Sequence, residues 1–544
     1  MHLASRSTSE SFTLREPWEG PRSGDSGVDR LSRRRPKSHG AVGVVGLELL
    51  TSAILPTLES PCRVQKPLTT RFPVASHDRG EANLRVLVVI AHHGTKNRPF
   101  LLRMLQSFNR MEHDVDVVVV CEEPKDLPHY VEQVVGMPSD DPWSLPFAHR
   151  PIFIDRAADY DLFVYSEDDT LIEQAHLDRF VQLQAWLPKD MIAGFMRFEE
   201  HPDGSRSYST INSHYRWLPN SVRRIGDFTF ARFANDHAAC YALTRDQLER
   251  AILSGGFDVR PHAGRYDMLV TAATDVYTQC GMTKFLCIEH IEDQLVHHMP
   301  NVYLGKMGVD EKSFRSQLEA LRNLPVDRPI EQFLVPETKT PDAFWDRRSF
   351  PIQPTELIRA FENRPASRVL NIAGTTGDLE TALLGFGHQV TSIPADPVFD
   401  RVLTDRGVET IPGTSVKDAS ADNRFDHVLA IDVLPYLSDP VSFLSAVKRL
   451  LADTGRVVVS VPDHRRYRLR NRIQPSKSVS SPVGFREDGV HPTDPRVLRG
   501  WLRTAGLEVV RLTHRSATRR EPFGSGGWRS ILVGNAVVAV AAPY

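Results

Sequence analysis

The spacing of apolar residues changes character three times along the chain. Through residues 1–83 they fall without rhythm among Ser, Arg, Gly and Pro, a composition that cannot bury enough surface to offset the entropy of ordering it. That stretch reads as a disordered extension. At residue 84 an aliphatic run begins, 84–91, of the kind that fills a parallel sheet. Helical spacing follows over 100–108, then a second buried strand over 115–121, which together make a βαβ unit. A third strand, 160–165, leads into three acids, with a helix expected over 171–187.

Residues 325–354 hold six prolines among charges and a few aromatics, a poor helix and a good connector. Beyond them the alternation restarts. Strands are expected at 368–372, 389–393, 427–431, 456–461, 507–512 and 531–541, and helices at 378–386, 440–451 and 495–505. The reading is therefore α/β throughout, with an extension at 1–83, a domain at 84–324, a linker at 325–354 and a second domain at 355–544.

Length supports that division, since 544 residues exceed what one hydrophobic core organises. Charge removes some partners. With 66 basic and 68 acidic side chains there is no overall field to draw the chain onto nucleic acid or an anionic membrane. The most membrane-like stretch, 41–56, is too short to span and contains Glu48. Cytoplasmic residence follows as the expectation. Five cysteines, with no CxxC pair, suit reduced core positions rather than a disulfide frame or zinc site. Oligomeric state is not readable.

Glu167, Asp168 and Asp169 end the third strand, where open α/β sheets place their ligands. Magnesium and manganese prefer oxygen ligands, and a metal bridging two phosphates needs only one or two protein carboxylates. The triplet also suits a solvated turn opening the next helix, whose positive end favours acids. With its βαβ lead-in and following helix, the motif resembles the Asp-x-Asp signature of GT-A-fold glycosyltransferases over residues 84–308. By that resemblance Asp169 binds a divalent cation and Glu167 lies near the ribose of a nucleotide-sugar donor. The first position is Glu where the family has Asp. Asn235 to Thr244 resembles the family's acceptor-side strand, and a late His as further metal ligand points to His298 or His297. An inverting transfer needs a carboxylate base; Asp236, Asp275 and Asp293 are candidates that the sequence does not separate.

The second domain resembles class I S-adenosylmethionine-dependent methyltransferases, a Rossmann-like fold. The resemblance lies in 369–378 with its Gly374-Thr375-Thr376-Gly377 loop, in 425–434, in 455–462, and in His491-Pro492-Thr493 with the helix after it. It implies cofactor contacts from Asn371, Gly374, Gly377, Asp396 and Asp432. The loop departs from the family: Asn371 replaces an acid, Ala373 and Thr375 replace glycines, and Pro394 stands where an acid grips the ribose. Restoring Asn371→Asp with Thr375→Gly is expected to improve binding. His464 and His491 are candidate bases. The resulting expectation is a metal-dependent glycosyltransferase, acting on a nucleotide sugar and a glycan or small-molecule acceptor, fused to a methyltransferase-like domain. Two rivals stay open: a methyltransferase with a non-catalytic carbohydrate-binding amino-terminal domain, and a scaffold with both sites degenerate.

Overall fold

The computed structural model describes residues 83–208, 216–264, 266–304, 309–330, 355–411, 424–462, 493–515 and 536–544, with isolated positions between them. All but the last residue of the expected extension lies outside them.

The aliphatic run becomes β1 (Arg85–His92), buried along all but its first residue. Then come α1 (Arg98–Phe108), β2 (Asp114–Cys121), β3 (Glu132–Val135), α2 (His149–Asp155) and β4 (Leu162–Glu167). Short elements follow: β5 (Thr170–Leu171), α3 (Gln174–Gln184), β6 (Met191–Ala193), β7 (Met196–Glu200), β8 (Arg206–Tyr208), β9 (Arg223–Ile225) and β10 (Phe228–Ala231). The first half closes with β11 (Cys240–Thr244), α4 (Arg245–Leu253), α5 (Met268–Thr278), β12 (Thr283–Cys287), β13 (Leu295–His298), β14 (Val309–Asp310) and α6 (Glu311–Asn323).

Strands β3, β2, β1 and β4 lie parallel in that spatial order, and β11 closes the sheet antiparallel to β4. Smaller sheets, β6-β12-β10-β9 and β14-β8-β7-β13-β5, accompany it. The pairing of β5 with β13 sets His298 opposite Thr170, directly after the acidic triplet. Two expectations shift here. The third strand runs to Glu167 itself, and the helix after it starts only at Gln174 with no acid in its first turn. The triplet is therefore not a helix-opening turn.

In the second half, α7 (Thr355–Phe361) precedes β15 (Arg368–Gly374), α8 (Asp378–Gly385), β16 (Gln389–Pro394), α9 (Pro397–Asp405) and β17 (Glu409–Thr410). After these come β18 (Phe425–Ile431), α10 (Pro440–Arg449), β19 (Leu451–Pro462), α11 (Pro495–Thr504), β20 (Leu507–Arg515) and β21 (Ala536–Pro543). One seven-stranded sheet results, in the order β17-β16-β15-β18-β19-β21-β20. It is parallel as far as β19, and β21 runs antiparallel to both neighbours. The strand order reverses between β15 and β18, which opens a crevice at their carboxyl ends.

The stretch 331–354, most of the expected linker, lies outside the described residues; its start is fixed to the first half by Ile330, which exchanges two backbone hydrogen bonds with the Asn220 amide at 2.7 and 2.9 Å. The two halves are not merely strung together. Residues 79–544 form one compact unit, and Val398 of α9 shares a buried cluster with Phe314, Leu318 and Leu321 of α6.

Candidate functional sites

At the end of β4 three acids meet three different environments. Glu167 is fixed at its backbone by donating to the Ala239 carbonyl at 2.8 Å, and Ala239 itself sits at φ +61°. Asp168 turns toward β1: its carboxylate meets the His92 ring nitrogen at 2.6 Å and accepts from the Asn97 amide at 2.7 Å. Asp169 accepts from the same amide at 3.1 Å and faces His298 Nε2 at 3.6 Å. The other ring nitrogen of His298 is held by Glu199 at 2.7 Å, and Glu199 is fixed in turn by the Tyr303 backbone N–H. A carboxylate that fixes an imidazole facing a second acid is the arrangement that orients histidine ligands at metal centres.

The electrostatics follow from burial and from which acid has a partner. Burial, reinforced by the Asp169 charge, pushes Glu167 well above the ordinary carboxylate range. Burial alone would raise Asp169 too, but the His298 contact outweighs it and holds that carboxyl low. Burial keeps His237 neutral, its pKa well below the usual imidazole value, with Nε2 at 3.9 Å from Glu167. Glu167 Oε1, Asp169 Oδ1 and His237 Nδ1 are buried without a hydrogen-bond partner among the described residues. Buried polar atoms are almost always satisfied, so this group is arranged for a further partner, in addition to the buried Arg197 whose charge already acts on both acids. Among the described residues no set of three or more His, Cys, Asp or Glu side chains forms a ready cage for a metal ion. Two carboxylates do meet the need of a hard cation that takes its other ligands from phosphate and water. The residues fit such a cation, with Glu167 and Asp169 as the oxygens that would hold it and His298 beside Asp169.

The candidates not at this centre are placed as clearly. His297 points elsewhere, bonded to Asn301 at 3.1 Å and stacked on Phe198. Asp275 is wholly buried in α5 against Arg150 at 2.8 Å, an internal strut between α5 and α2. Asp293 pairs with Arg179 of α3 at 2.8 Å on a partly exposed turn. Neither has a catalytic setting. Asp236 is the chain neighbour of His237, whose ring faces Glu167. Lys284 holds that segment by donating to the Asn235 and Asp236 carbonyls at 2.8 and 2.9 Å, and burial lowers its pKa to about 8. Sequence reasoning missed His92, Asn97, Glu199, His237 and Lys284. Each sits on a short or non-adjacent segment whose role appears only through pairing.

In the second half the loop after β15 packs tightly. Ala373 takes the left-handed conformation at φ +60°, which costs an alanine roughly 1–2 kcal/mol. Gly377 takes it at φ +80°, where glycine has no such penalty. At Gly374 a Cβ would stand 2.2 Å from Ser392 Oγ and 2.5 Å from Glu380 Oε1. Asn371 does not face an open pocket; its amide donates to the buried Glu380 carboxylate at 2.7 Å, which Ser392 Oγ also meets at 3.0 Å. Burial raises the Glu380 carboxyl despite both contacts. Asp432, at φ +56° after β18, accepts from Ser460 Oγ at 2.6 Å.

Asp396 requires correction as a ribose-gripping acid. It is fully buried as the N-cap of α9, accepting from the Val398 and Phe399 backbone N–H groups at 2.9 and 3.2 Å, and its other oxygen lies 3.1 Å from buried Arg216. An Asp before Pro397 is a natural helix start, and that use consumes the carboxylate. His491 is held by the Leu437 carbonyl at 2.9 Å and packs on Trp501. His464 lies outside the described residues.

Residues 346–512 match the family model described as a methyltransferase domain. The carboxyl-terminal region carries a methyltransferase domain. The chain is 26% identical over 156 residues to a ubiquinone biosynthesis O-methyltransferase of Xanthomonas campestris pv. campestris (strain B100), covering 27% of this chain. It spans 64% of that relative's length. A homologue from Xanthomonas oryzae pv. oryzae (strain PXO99A) is 25% identical over 165 residues, 28% of this chain and 68% of its own. Among solved structures, magnesium protoporphyrin IX methyltransferase from Synechocystis PCC 6803 with bound SAH shows 13% identity and a TM-score of 0.28, covering 36% of this chain and 85% of that one. The family match speaks for the methyltransferase domain alone. Among the described residues no helix is long and apolar enough to cross a membrane.

Proposed function

We propose that the chain is an S-adenosylmethionine-dependent methyltransferase carrying a sugar-handling amino-terminal domain. The observation that supports this best is the glycine loop at the switch point of a seven-stranded sheet, inside the matched methyltransferase span. Gly374 and Gly377 let the loop pack closely on Ser392, Glu380 and Arg406, which would leave its backbone groups to face the cofactor, and Asp432 would line the crevice from β18. Asn371 and Asp396 are turned to other partners, so the cofactor's amino-acid and ribose ends would rest on backbone groups. Titration calorimetry with S-adenosylmethionine tests this directly. Saturable binding supports the reading, and no heat at millimolar cofactor refutes it.

A second activity in the same chain has its own support. The oxygens of Glu167 and Asp169 that are buried without a partner among the described residues, beside a His298 oriented by Glu199, support metal-dependent transfer from a nucleotide-sugar donor as a second reading, behind a carbohydrate-binding role. In that reading Asp169 carries the cation, and Asp236, next to His237 in the chain, is the candidate base, since Arg150 claims Asp275 and Arg179 claims Asp293. Thermal-shift measurements with nucleotide sugars, with and without Mn²⁺, separate the two. A binding module would gain stability from glycan alone, whereas a metal-dependent transferase would need both donor and cation.

A further inference from the structure

The methyltransferase loops are held from outside their own domain. Arg406, at the carboxyl end of α9, lies so close to the glycine loop that a Cβ on Gly377 would stand 2.8 Å from its Cδ. Its guanidinium reaches Asp378, the residue after that loop, at 2.9 Å. The same guanidinium bridges across to the first half, meeting Asp310 at 2.5 Å and Ser313 Oγ at 2.7 Å at the start of α6. The turn after β16 is treated likewise, because Asp396 is clamped between its own helix and Arg216 of the first half, both fully buried. Between these bridges Val398 enters the cluster formed by Phe314, Leu318 and Leu321.

These contacts fall on the carboxyl ends of β15 and β16, one wall of the crevice, rather than on the outer face of the sheet. A fork-shaped guanidinium with a half-exposed carboxylate on each side is positioned from both halves at once. We infer that the amino-terminal half is a working part of the S-adenosylmethionine site, with Asp310 and Arg216 as positioning residues that act through Arg406 and Asp396. This inference rests on the cofactor reading above. It also accounts for how a loop lacking its family acid at position 371 and its ribose acid at 394 keeps a defined shape: the order comes from the neighbouring half.

Asp310 permits a clean test because it has two separable jobs. It caps α6 by accepting from the Ser313 N–H at 2.9 Å, and its charge holds Arg406. Asn is as good a cap as Asp but carries no charge, whereas Glu keeps the charge and caps poorly. Cofactor affinity of the full chain is measured by calorimetry for wild type, Asp310→Asn and Asp310→Glu, with the unliganded unfolding midpoint of each. The expected result is that Asp310→Asn weakens S-adenosylmethionine about fivefold or more, the lower end of ordinary coupling between sites. Asp310→Glu should stay near wild type, although its α6 is the less well capped. If both variants bind within twofold of wild type, or if affinity follows capping rather than charge, the inference is wrong and the interface is only packing. A wild-type chain that does not bind the cofactor would instead overturn the cofactor reading on which this rests. The double variant Arg216→Met with Asp396→Asn removes both members of the buried pair and keeps the α9 cap. It too should fold and bind more weakly, and full affinity in that variant would count against the Arg216 arm.

Discussion

Asn371→Asp restores the acid that methyltransferases of this class carry, and the structure says it will do harm. The Asn371 amide donates to Glu380 Oε1 at 2.7 Å, and both groups are buried. An aspartate there places two carboxylates in contact, which at an effective dielectric near 20 repel by about 6 kcal/mol. The protein escapes the full repulsion by binding a proton, which one of the two then donates to the other. Glu380 is already raised by burial, so the pair in the variant takes a folded-state pKa above its unfolded value. Stability tied to such a group is present below the unfolded pKa and is lost as pH rises through the folded one. The variant should therefore be close to wild type near pH 4.5 and fall behind as pH rises. At pH 8 the deficit should reach at least the loss of one charge-assisted hydrogen bond, about 1.5–3 kcal/mol. Urea denaturation of wild type and variant across that range measures it. Glu380→Gln added to Asn371→Asp swaps donor and acceptor, and should recover most of the loss at pH 8. A single variant as stable as wild type at every pH would show that the introduced carboxylate turns away from Glu380, and the restoration expected from the loop sequence would again be reasonable.

Gly374→Ala should destabilise the chain by about 1–3 kcal/mol, read by the same denaturation, because its methyl would meet Ser392 Oγ and Glu380 Oε1 well inside contact distance; no change would mean the loop relaxes freely. Asp169→Asn should lower Mn²⁺-dependent binding of a nucleotide diphosphate at least tenfold in calorimetry while leaving the unfolding midpoint within a few degrees, and equal affinity in chelator and in Mn²⁺ would remove the metal role. Proteolytic cleavage within the connecting stretch 331–354 should leave both fragments co-eluting on a sizing column, since α6 and α9 share buried apolar contacts and the Arg216–Asp396 pair. Fragments that separate without denaturant would show the interface to be too weak for the coupling argued above.

Much of the framework could be read from the chain because it rests on local periodicity. The aliphatic runs that became β1, β2, β15, β18 and β19 each carry their burial in their own residues; β1 and β2 hold five or more apolar positions in a row, and the shorter runs of β15, β18 and β19 recur in step with helices between them. The two- to five-residue strands around the first site could not be read this way. Strands such as β5 and β13 exist through their pairing, and the pairing of β13 with β5 and β7 brings His298 to Asp169. The same limit separates the candidate acids. Asp236, Asp275 and Asp293 look alike in sequence, and nothing local to Asp275 or Asp293 announces that Arg150 and Arg179 claim them.

Asp396 shows where such reading stops. Two residues beyond a parallel strand, an acid can grip a ribose or cap the next helix, and Pro397 after it already favoured the cap. What no local pattern could supply is the second partner, Arg216, 180 positions earlier and fully buried. A buried carboxylate with a removed partner costs several kcal/mol, whereas a matched apolar replacement of the pair is often tolerated. The two members are therefore constrained together, and a change at either is felt at the turn after β16. In this chain the acid two residues beyond the expected ribose position thus reports on the other half of the protein, so that, if the methyltransferase domain binds S-adenosylmethionine, its site is shaped in part by Arg216, which lies outside the matched span 346–512.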